Sequence, residues 1–113
     1  NVECSFDNKC ERIVDNNMQA MHLYRIAQEA ISNAVKHGKA DKIKIELSNS
    51  DGRIRLAIID DGIGFANTTA GKKNKGMGIH IMKYRANILS GRLEIKQTDE
   101  NQTRIVCSIP QNN

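Results

Sequence analysis

The sequence predicts a two-layer α/β sandwich in which a mixed β-sheet carries its helices on one face. Five short segments alternate apolar and polar residues, and two longer segments repeat apolar residues at helical spacing. Packing both helices on one side of the sheet buries the apolar stripes of the helices and one side of every strand. The 113 residues suffice for one modest core, so we expect residues 1–113 to form a single domain.

A strand and a long helix come first. Alternation at residues 2–6 predicts a short, half-buried strand. The helical pattern runs from Met18 to His37 and places its apolar residues on one stripe. Asn16 or Asn17 is the expected N-terminal cap, and Gly38 is expected to end the helix in the left-handed conformation.

A β-hairpin follows the helix. Residues 43–47 and 54–58 each carry apolar side chains at alternate positions, and residues 49–52 between them have the composition of a turn. Residues 62–75 show no periodicity and are mostly polar, which predicts a long loop.

A second helix and a final strand pair complete the chain. Apolar residues keep helical spacing from Ile79 to Leu89, and Gly91 is expected to stop this helix. Alternation at residues 93–95 and 105–109 predicts two strands, joined by a turn near residues 99–102.

Composition excludes several classes of protein. No apolar run approaches the roughly 18 residues that span a bilayer, and no signal-peptide pattern is present, so we expect a cytoplasmic location. The three cysteines lack Cys-x-x-Cys spacing, which argues against a disulfide framework or a zinc site. Cys4 and Cys107 keep phase with apolar strand neighbours, so both are expected to be buried, reduced thiols.

The positive charge is unevenly placed. Residues 72–96 hold seven Lys or Arg against one Glu. The chain has only two Tyr, two Phe and no Trp, so it lacks the aromatic interleaving typical of nucleic-acid binding, and no nucleic-acid partner is expected. These lysines either neutralise a polyphosphate ligand or are solvated loop charges.

A polar stripe follows one face of the long helix. Arg25, Glu29, Asn33 and either Lys36 or His37 are spaced so that their side chains share that face. The stripe is either a solvated face or one side of a binding site. An asparagine amide oxygen suits Mg²⁺, and Glu29, one turn earlier, could orient a metal-bound water or accept a proton.

Two glycine-rich segments flank the long loop. Asp60 closes a predicted strand, where its carboxylate can accept a hydrogen bond from an amino-bearing ring, and Gly62 and Gly64 let the backbone pass close to that ring. Gly76 and Gly78 open the second helix, whose free N–H groups can hold phosphate. Together they suggest a nucleotide site.

Three segments in order resemble the motifs of the GHKL superfamily, which includes DNA gyrase, Hsp90, MutL and histidine-kinase ATPases. Residues 23–37 resemble its N box, residues 60–64 its first glycine box and residues 76–79 its second. The amino-acid sequences of the N box and of residues 82–86 are similar to those of the nitrate-sensor-like subfamily of bacterial sensor histidine kinases. The resemblance extends from about Tyr24 to Pro110.

The resemblance implies a Bergerat-type ATP-binding fold that uses ATP and Mg²⁺. Asp60 would accept a hydrogen bond from adenine, Asn33 would bind the metal, and Glu29 with Asn33 would be catalytic. Residues 66–75 would form the ATP lid. The full set of implied nucleotide contacts is Asn33, Lys36, His37, Asp60, Gly62, Gly64, Gly76, Met77, Gly78, Ile79 and Thr103. We expect Asn33 and Asp60 to open onto one cavity sized for ATP.

Three positions depart from the family pattern, and the mildest departure is Ile79, which stands where Leu is common. Asp61 stands where the first glycine box often has Asn, and it is expected to add negative charge near the site. Gln102 replaces the glycine that usually precedes the last threonine, which puts the role of Thr103 in question.

The resemblance also implies partners. A histidine kinase phosphorylates a histidine on a separate dimerisation domain and relays the group to a response regulator, here one with a helix-turn-helix output domain. None of the three histidines is followed by an acidic residue, so we expect the acceptor to lie outside this chain. Dimerisation normally belongs to the helices that carry the acceptor, so we expect the isolated domain to be monomeric. The alternatives are an anti-sigma-factor-type serine kinase of the same fold and a non-catalytic interaction module.

Overall fold

Among the residues that it describes, the computed structural model shows a five-stranded mixed sheet and two helices. It describes residues 2–10, 14, 16–36, 39–62, 77–97 and 102–111. In chain order the elements are β1 (Glu3–Lys9), α1 (Asn17–Lys36), β2 (Lys42–Ser50), β3 (Arg53–Asp60), α2 (Met77–Ile88), β4 (Arg92–Gln97) and β5 (Thr103–Pro110). The predicted fold class is confirmed.

The sheet has the strand order β1-β2-β3-β5-β4. β1 runs parallel to β2, and the other neighbouring strands are antiparallel. The central strand β3 ends at Asp60, which pairs in register with Thr103 at the start of β5 and with Ile43 near the start of β2. The carboxylate of Asp60 and the hydroxyl of Thr103 are therefore on neighbouring residues, where β3 ends and β5 begins.

The core lies between the two helices and one face of the sheet. α1 contributes buried residues at spacings of three and four, and every second residue of β5 is buried. The buried apolar residues include Leu23, Ile26, Ala30 and Ala34 of α1, Met82 and Ala86 of α2, Ile54, Leu56 and Ile58 of β3, and Ile105, Cys107 and Ile109 of β5. Burial raises the pKa of the Cys107 thiol to about 11.

The hairpin turn between β2 and β3 is tighter than predicted. Asp51 and Gly52 have φ values of 53° and 75°, so both central residues lie in the left-handed region, as in a type I′ turn. Asn49 and Ser50, predicted as turn residues, belong to β2 and pair with β3. The two-residue turn matches the twist of the flanking strands, so the ladder continues to its end.

Asn16 caps α1. Its side-chain Oδ1 accepts the backbone N–H of Gln19 at 3.0 Å, and its carbonyl oxygen accepts the N–H of Ala20 at 2.9 Å. Of the two asparagines that the sequence offered, Asn16 is therefore the cap. The other end of the predicted helix, at His37 and Gly38, lies outside the described residues.

α2 does not end as predicted. Ser90, with a φ of 58°, takes the left-handed conformation, and the N–H of Gly91 donates to the carbonyl of Ala86 at 2.8 Å. Gly91 serves a different purpose. A methyl group there would overlap the Ile109 side chain and lie 2.6 Å from the carbonyl oxygen of Ser108, so only glycine allows the chain to pass this close to β5.

The prediction that β1 is half-buried was wrong. Phe6 is 59% exposed, and Cys4, predicted to be a buried thiol, is exposed as well. The helices pack mainly over the other four strands, so β1 extends the sheet beyond the layer that the helices cover. The long loop predicted at residues 62–75 lies outside the described residues after Gly62.

Candidate functional site

One small cavity joins residues from five elements. Asn33 of α1, Asp60 of β3, Ile79 of α2 and Thr103 of β5 all line it. The predicted meeting of Asn33 and Asp60 on a common cavity is therefore found. Its volume is about 10 Å³, room for about one water, whereas small-molecule sites usually measure about 300–1,000 Å³. The predicted size is not found, because a cavity of this volume is too small for an adenine ring.

The local sequence explains this convergence. Asp60 and Thr103 are paired at the sheet edge where β3 ends and β5 begins. Asn33 lies between two small residues, Ala30 and Ala34, which share its helix face and also line the cavity. These small side chains let α1 lie close to the end of β3, so Asn33 and Asp60 line the same cavity.

Asp60 is a buried carboxylate. It is only 5% exposed, and its Oδ1 accepts the backbone N–H of Gly62 at 2.9 Å. Burial raises the pKa of Asp60 above its usual value, the hydrogen bond from Gly62 lowers it, and the nearby charge of Asp61 raises it further. A buried anion with one hydrogen bond retains the capacity to accept more.

The raised pKa predicts that Asp60 weakens the fold at neutral pH. Its contribution to stability is greatest below its usual pKa of 3.8 and is lost as the pH rises through its higher folded-state pKa. Asp60→Asn should therefore raise the melting temperature at pH 7, and the gain over the wild type should shrink as the pH falls through the Asp60 pKa. Thermal unfolding at several pH values measures this.

Asp61→Asn is the matched control, because the pKa of Asp61 is shifted in the opposite direction from that of Asp60. The pKa of Asp61 is lowered, chiefly by the backbone N–H of Lys42, so its charge stabilises the fold at neutral pH and this contribution is lost as the pH falls. Asp61→Asn should lower the melting temperature at pH 7. A lower melting temperature for Asp60→Asn at every pH would contradict the assignment of Asp60 as a buried charge that destabilises the fold at neutral pH.

The Asp61 carboxylate is engaged away from the cavity. Its Oδ1 accepts the backbone N–H groups of Asp41 and Lys42, both at 2.9 Å, and so fixes the start of β2. The sequence led us to expect that Asp61 adds negative charge near the site. Its charge does raise the pKa of Asp60, but only as the smallest of the three effects on that group.

Thr103 presents a hydroxyl group to the cavity. The residue is 4% exposed, and its Oγ1 has no hydrogen-bond partner among the described residues. A buried hydroxyl without a partner costs about 1–3 kcal/mol, so native structures rarely keep one except where a ligand or water completes it. The geometry thus favours a ligand contact at Thr103 even though Gln102 replaces the usual glycine.

Gly78 brings α2 into contact with α1. It lies in the first turn of α2, and a methyl group at this position would overlap the Glu29 carboxylate and lie 3.2 Å from Asn33 Nδ2. Both proposed catalytic side chains therefore meet the N-terminal turn of α2. Glu29 itself does not line the cavity between Asn33 and Asp60.

Some of the remaining predicted contacts lie within the described residues and others lie outside them. Gly62 is buried and bound to Asp60, Ile79 lines the cavity, and Lys36 is exposed at the last turn of α1. Met77 begins α2. Outside the described residues lie His37, Gly64, Gly76 and the predicted lid at residues 66–75. The assignment of all these residues to a nucleotide stays a prediction.

Sequence reasoning missed two residues of the cavity. Ile95 of β4 and Ile105 of β5 line its apolar side and pair with each other in register. The strand alternation placed both on the inner face of the sheet, but only the register shows that they lie at the Asp60 end. They are suited to contact the faces of an aromatic ring.

In the part of the chain that the structure describes, no helix combines the length and apolar character required to span a bilayer.

Comparison with known proteins gives consistent matches. The family model for histidine kinase-, DNA gyrase B- and HSP90-like ATPases matches residues 18–113. The chain is 36% identical over 89 residues to the sensor histidine kinase LiaS of Bacillus subtilis, which covers 79% of this chain and 24% of that protein. It is 33% identical over 90 residues to the nitrate/nitrite sensor protein NarX of Escherichia coli, which covers 80% of this chain and 15% of that protein.

The fold also has close neighbours among solved structures. The blue-light activated histidine kinase EL346 of Erythrobacter litoralis superposes with a TM-score of 0.73 at 17% identity, covering 96% of this chain and 38% of that one. At this identity the likeness concerns the fold alone. The chain spans a quarter or less of the length of these two curated relatives.

Proposed function

Because this chain belongs to the family of histidine kinase-, DNA gyrase B- and HSP90-like ATPases, we propose that it is the ATP-binding catalytic domain of a two-component sensor histidine kinase. Residues 1–113 form that one domain. It binds ATP with Mg²⁺ and donates the γ-phosphoryl group to a histidine on a separate dimerisation domain of the full-length protein. A response regulator with a helix-turn-helix output then receives the group.

The observation that carries this proposal is the convergence of Asn33, Asp60 and Thr103 on one cavity. Asp60 accepts a hydrogen bond from the adenine amino group, which favours adenine over guanine because guanine has a carbonyl at that position. Thr103 supplies its hydroxyl, directly or through water, and the backbone at Gly62 lies beside the ring.

The phosphates lie toward the N-terminus of α2. The first N–H groups of a helix have no partner within the helix, and the positive end of the helix dipole favours anions. The cation of Lys36, at the end of α1, faces the same phosphates. The proposed contacts at this end are Lys36, His37, Gly64, Gly76, Met77, Gly78 and Ile79.

Asn33 fits the role of a magnesium ligand. Its side chain lies at the junction of the cavity and α2. Asn33 Nδ2 would lie 3.2 Å from a methyl group placed on Gly78. An amide oxygen is a hard ligand suited to Mg²⁺ that keeps several waters and also binds phosphates. Bound there, Mg²⁺ would neutralise phosphate charge. Glu29, one turn earlier on α1, would orient a water of the metal or accept a proton.

In such a site catalysis rests on positioning and on charge neutralisation. Asp60 fixes the base, α2 fixes the phosphates, and the γ-phosphorus faces the incoming histidine. The bond between the γ-phosphorus and the bridging oxygen breaks, the phosphorus–nitrogen bond forms, and ADP leaves. The isolated domain is monomeric and binds no nucleic acid. It works in the cytoplasm, or as the cytoplasmic part of a membrane-anchored sensor.

Mixing this domain with the dimerisation domain of the full-length protein tests the proposal. Alone, the domain should bind Mg·ATP and hydrolyse it slowly, because its acceptor is absent. With the dimerisation domain and labelled ATP, an acid-labile, alkali-stable phosphohistidine should appear. A phosphoprotein stable to acid would instead support the serine-kinase alternative, and the absence of any ATP binding would support a non-catalytic interaction module.

A further inference from the structure

The Glu29 carboxylate lies against the first turn of α2. Gly78 is the second residue of that helix, and a methyl group in place of its hydrogen would overlap Glu29 Oε1 and lie 3.0 Å from the Glu29 carboxylate carbon. The carboxylate therefore touches the helix backbone where a side chain would otherwise be. Glu29 has no salt bridge to any other described residue.

This is a favourable place for an anion. α2 is a 12-residue helix with no acidic residue in its first turn, so its own sequence does not neutralise the positive end of its dipole. Glu29 supplies that negative charge from α1. Next to this contact, Ile79 lines the same cavity as Thr103, whose buried hydroxyl has no partner among the described residues, an independent sign that a ligand completes this part of the molecule.

We infer that Glu29 is an internal competitor of the nucleotide phosphates: its carboxylate holds the N-terminus of α2 until phosphates displace it. The inference rests on the proposed function, because the same helix end is the proposed phosphate site. Two anions cannot share this end of the helix without repulsion, and the separation of α1 from α2 that admits the phosphates also removes the carboxylate from Gly78.

The exchange links binding to catalysis. While Glu29 contacts Gly78, its carboxylate lies against the helix end that is proposed to bind the phosphates. Once displaced, it lies one turn from Asn33, beside the proposed metal. The catalytic carboxylate is thus released only when the phosphates have arrived, at the expense of affinity for any phosphate-bearing ligand.

Neutralising Glu29 tests the inference. By calorimetry without metal, Glu29→Gln should bind ADP about fivefold more tightly than the wild type, the effect of removing one competing charge from a helix end. Adenosine has no phosphate, so its affinity should be the same for both proteins. Unchanged adenosine binding also shows that the variant is folded. Glu29→Ala, which removes the whole contact, should change the ADP affinity in the same direction.

Glu94→Gln is the matched control. Glu94 is an exposed residue of β4 that pairs with Lys96 and does not line the cavity between Asn33 and Asp60, and its loss makes the same change in net charge. ADP affinity should stay at the wild-type value. Equal tightening by both variants, or unchanged or weaker ADP binding by Glu29→Gln, would overturn the inference. If the wild type bound neither adenosine nor ADP, the proposed function itself would fail, and the inference with it.

Discussion

Replacing Asp60 by alanine should weaken the binding of Mg·ATP by roughly 30- to 100-fold, the loss expected for one hydrogen bond to a buried charged group. Asp60 is buried and uses one described bond, from Gly62, so its carboxylate retains acceptor capacity for the adenine amino group. Isothermal titration of wild type and variant measures the effect. Asp61→Asn is the control, because its side chain is bound to the start of β2.

Changing the base of the nucleotide gives a second test of the role of Asp60. Inosine triphosphate carries a carbonyl where ATP carries its amino group, so the wild type should prefer ATP by a similar factor. In Asp60→Ala this preference should disappear, because neither base has a carboxylate to contact. Equal affinity of the wild type for the two nucleotides would contradict the role given to Asp60.

Replacing Asn33 by alanine should lower the rate of phosphoryl transfer to the dimerisation domain by about 100-fold or more, the usual effect of removing one electrostatic contact to a transition state. The adenine end of the site is untouched, so adenosine affinity should change little. Transfer rates measured with labelled ATP over a range of Mg²⁺ concentrations should show a much weaker dependence on the metal in this variant.

Two further variants sharpen the test of Asn33. Asn33→Asp keeps an oxygen ligand for the metal and should retain more activity than Asn33→Ala. Gln28→Ala removes an exposed amide from the same helix, one that bonds only with Tyr24 and Arg25 among the described residues, and should leave transfer unchanged. Full metal dependence and a normal transfer rate in Asn33→Ala would exclude the amide as a metal ligand.

The sheet and the two ends of the site could be predicted because their signals are local. Alternation gave β2, β3 and β5 with their inner faces, and a carboxylate closing one strand with a glycine two residues later placed Asp60 at the sheet edge. The stripe on α1 gave Asn33 in the same way. None of these inferences needed knowledge of which elements are neighbours.

The errors concern contacts between elements. Whether β1 is covered depends on how far the helix layer extends, which its own alternation does not reveal. Gly91 follows the helix end as a stop signal would, yet its small size is needed for contact with Ile109, and Ser90 makes the turn. The motif containing Gly78 predicted a phosphate contact, which stays a prediction, but the sequence did not reveal that Gly78 also contacts Glu29 of α1.

The most direct test of the central claim is a crystal structure of the domain with Mg·ADP or a non-hydrolysable ATP analogue. We expect the adenine amino group at about 3 Å from the Asp60 carboxylate, a metal bound by the Asn33 amide oxygen and phosphates at the first turn of α2. A nucleotide bound elsewhere, with the cavity between Asn33 and Asp60 still closed at about 10 Å³, would contradict the account.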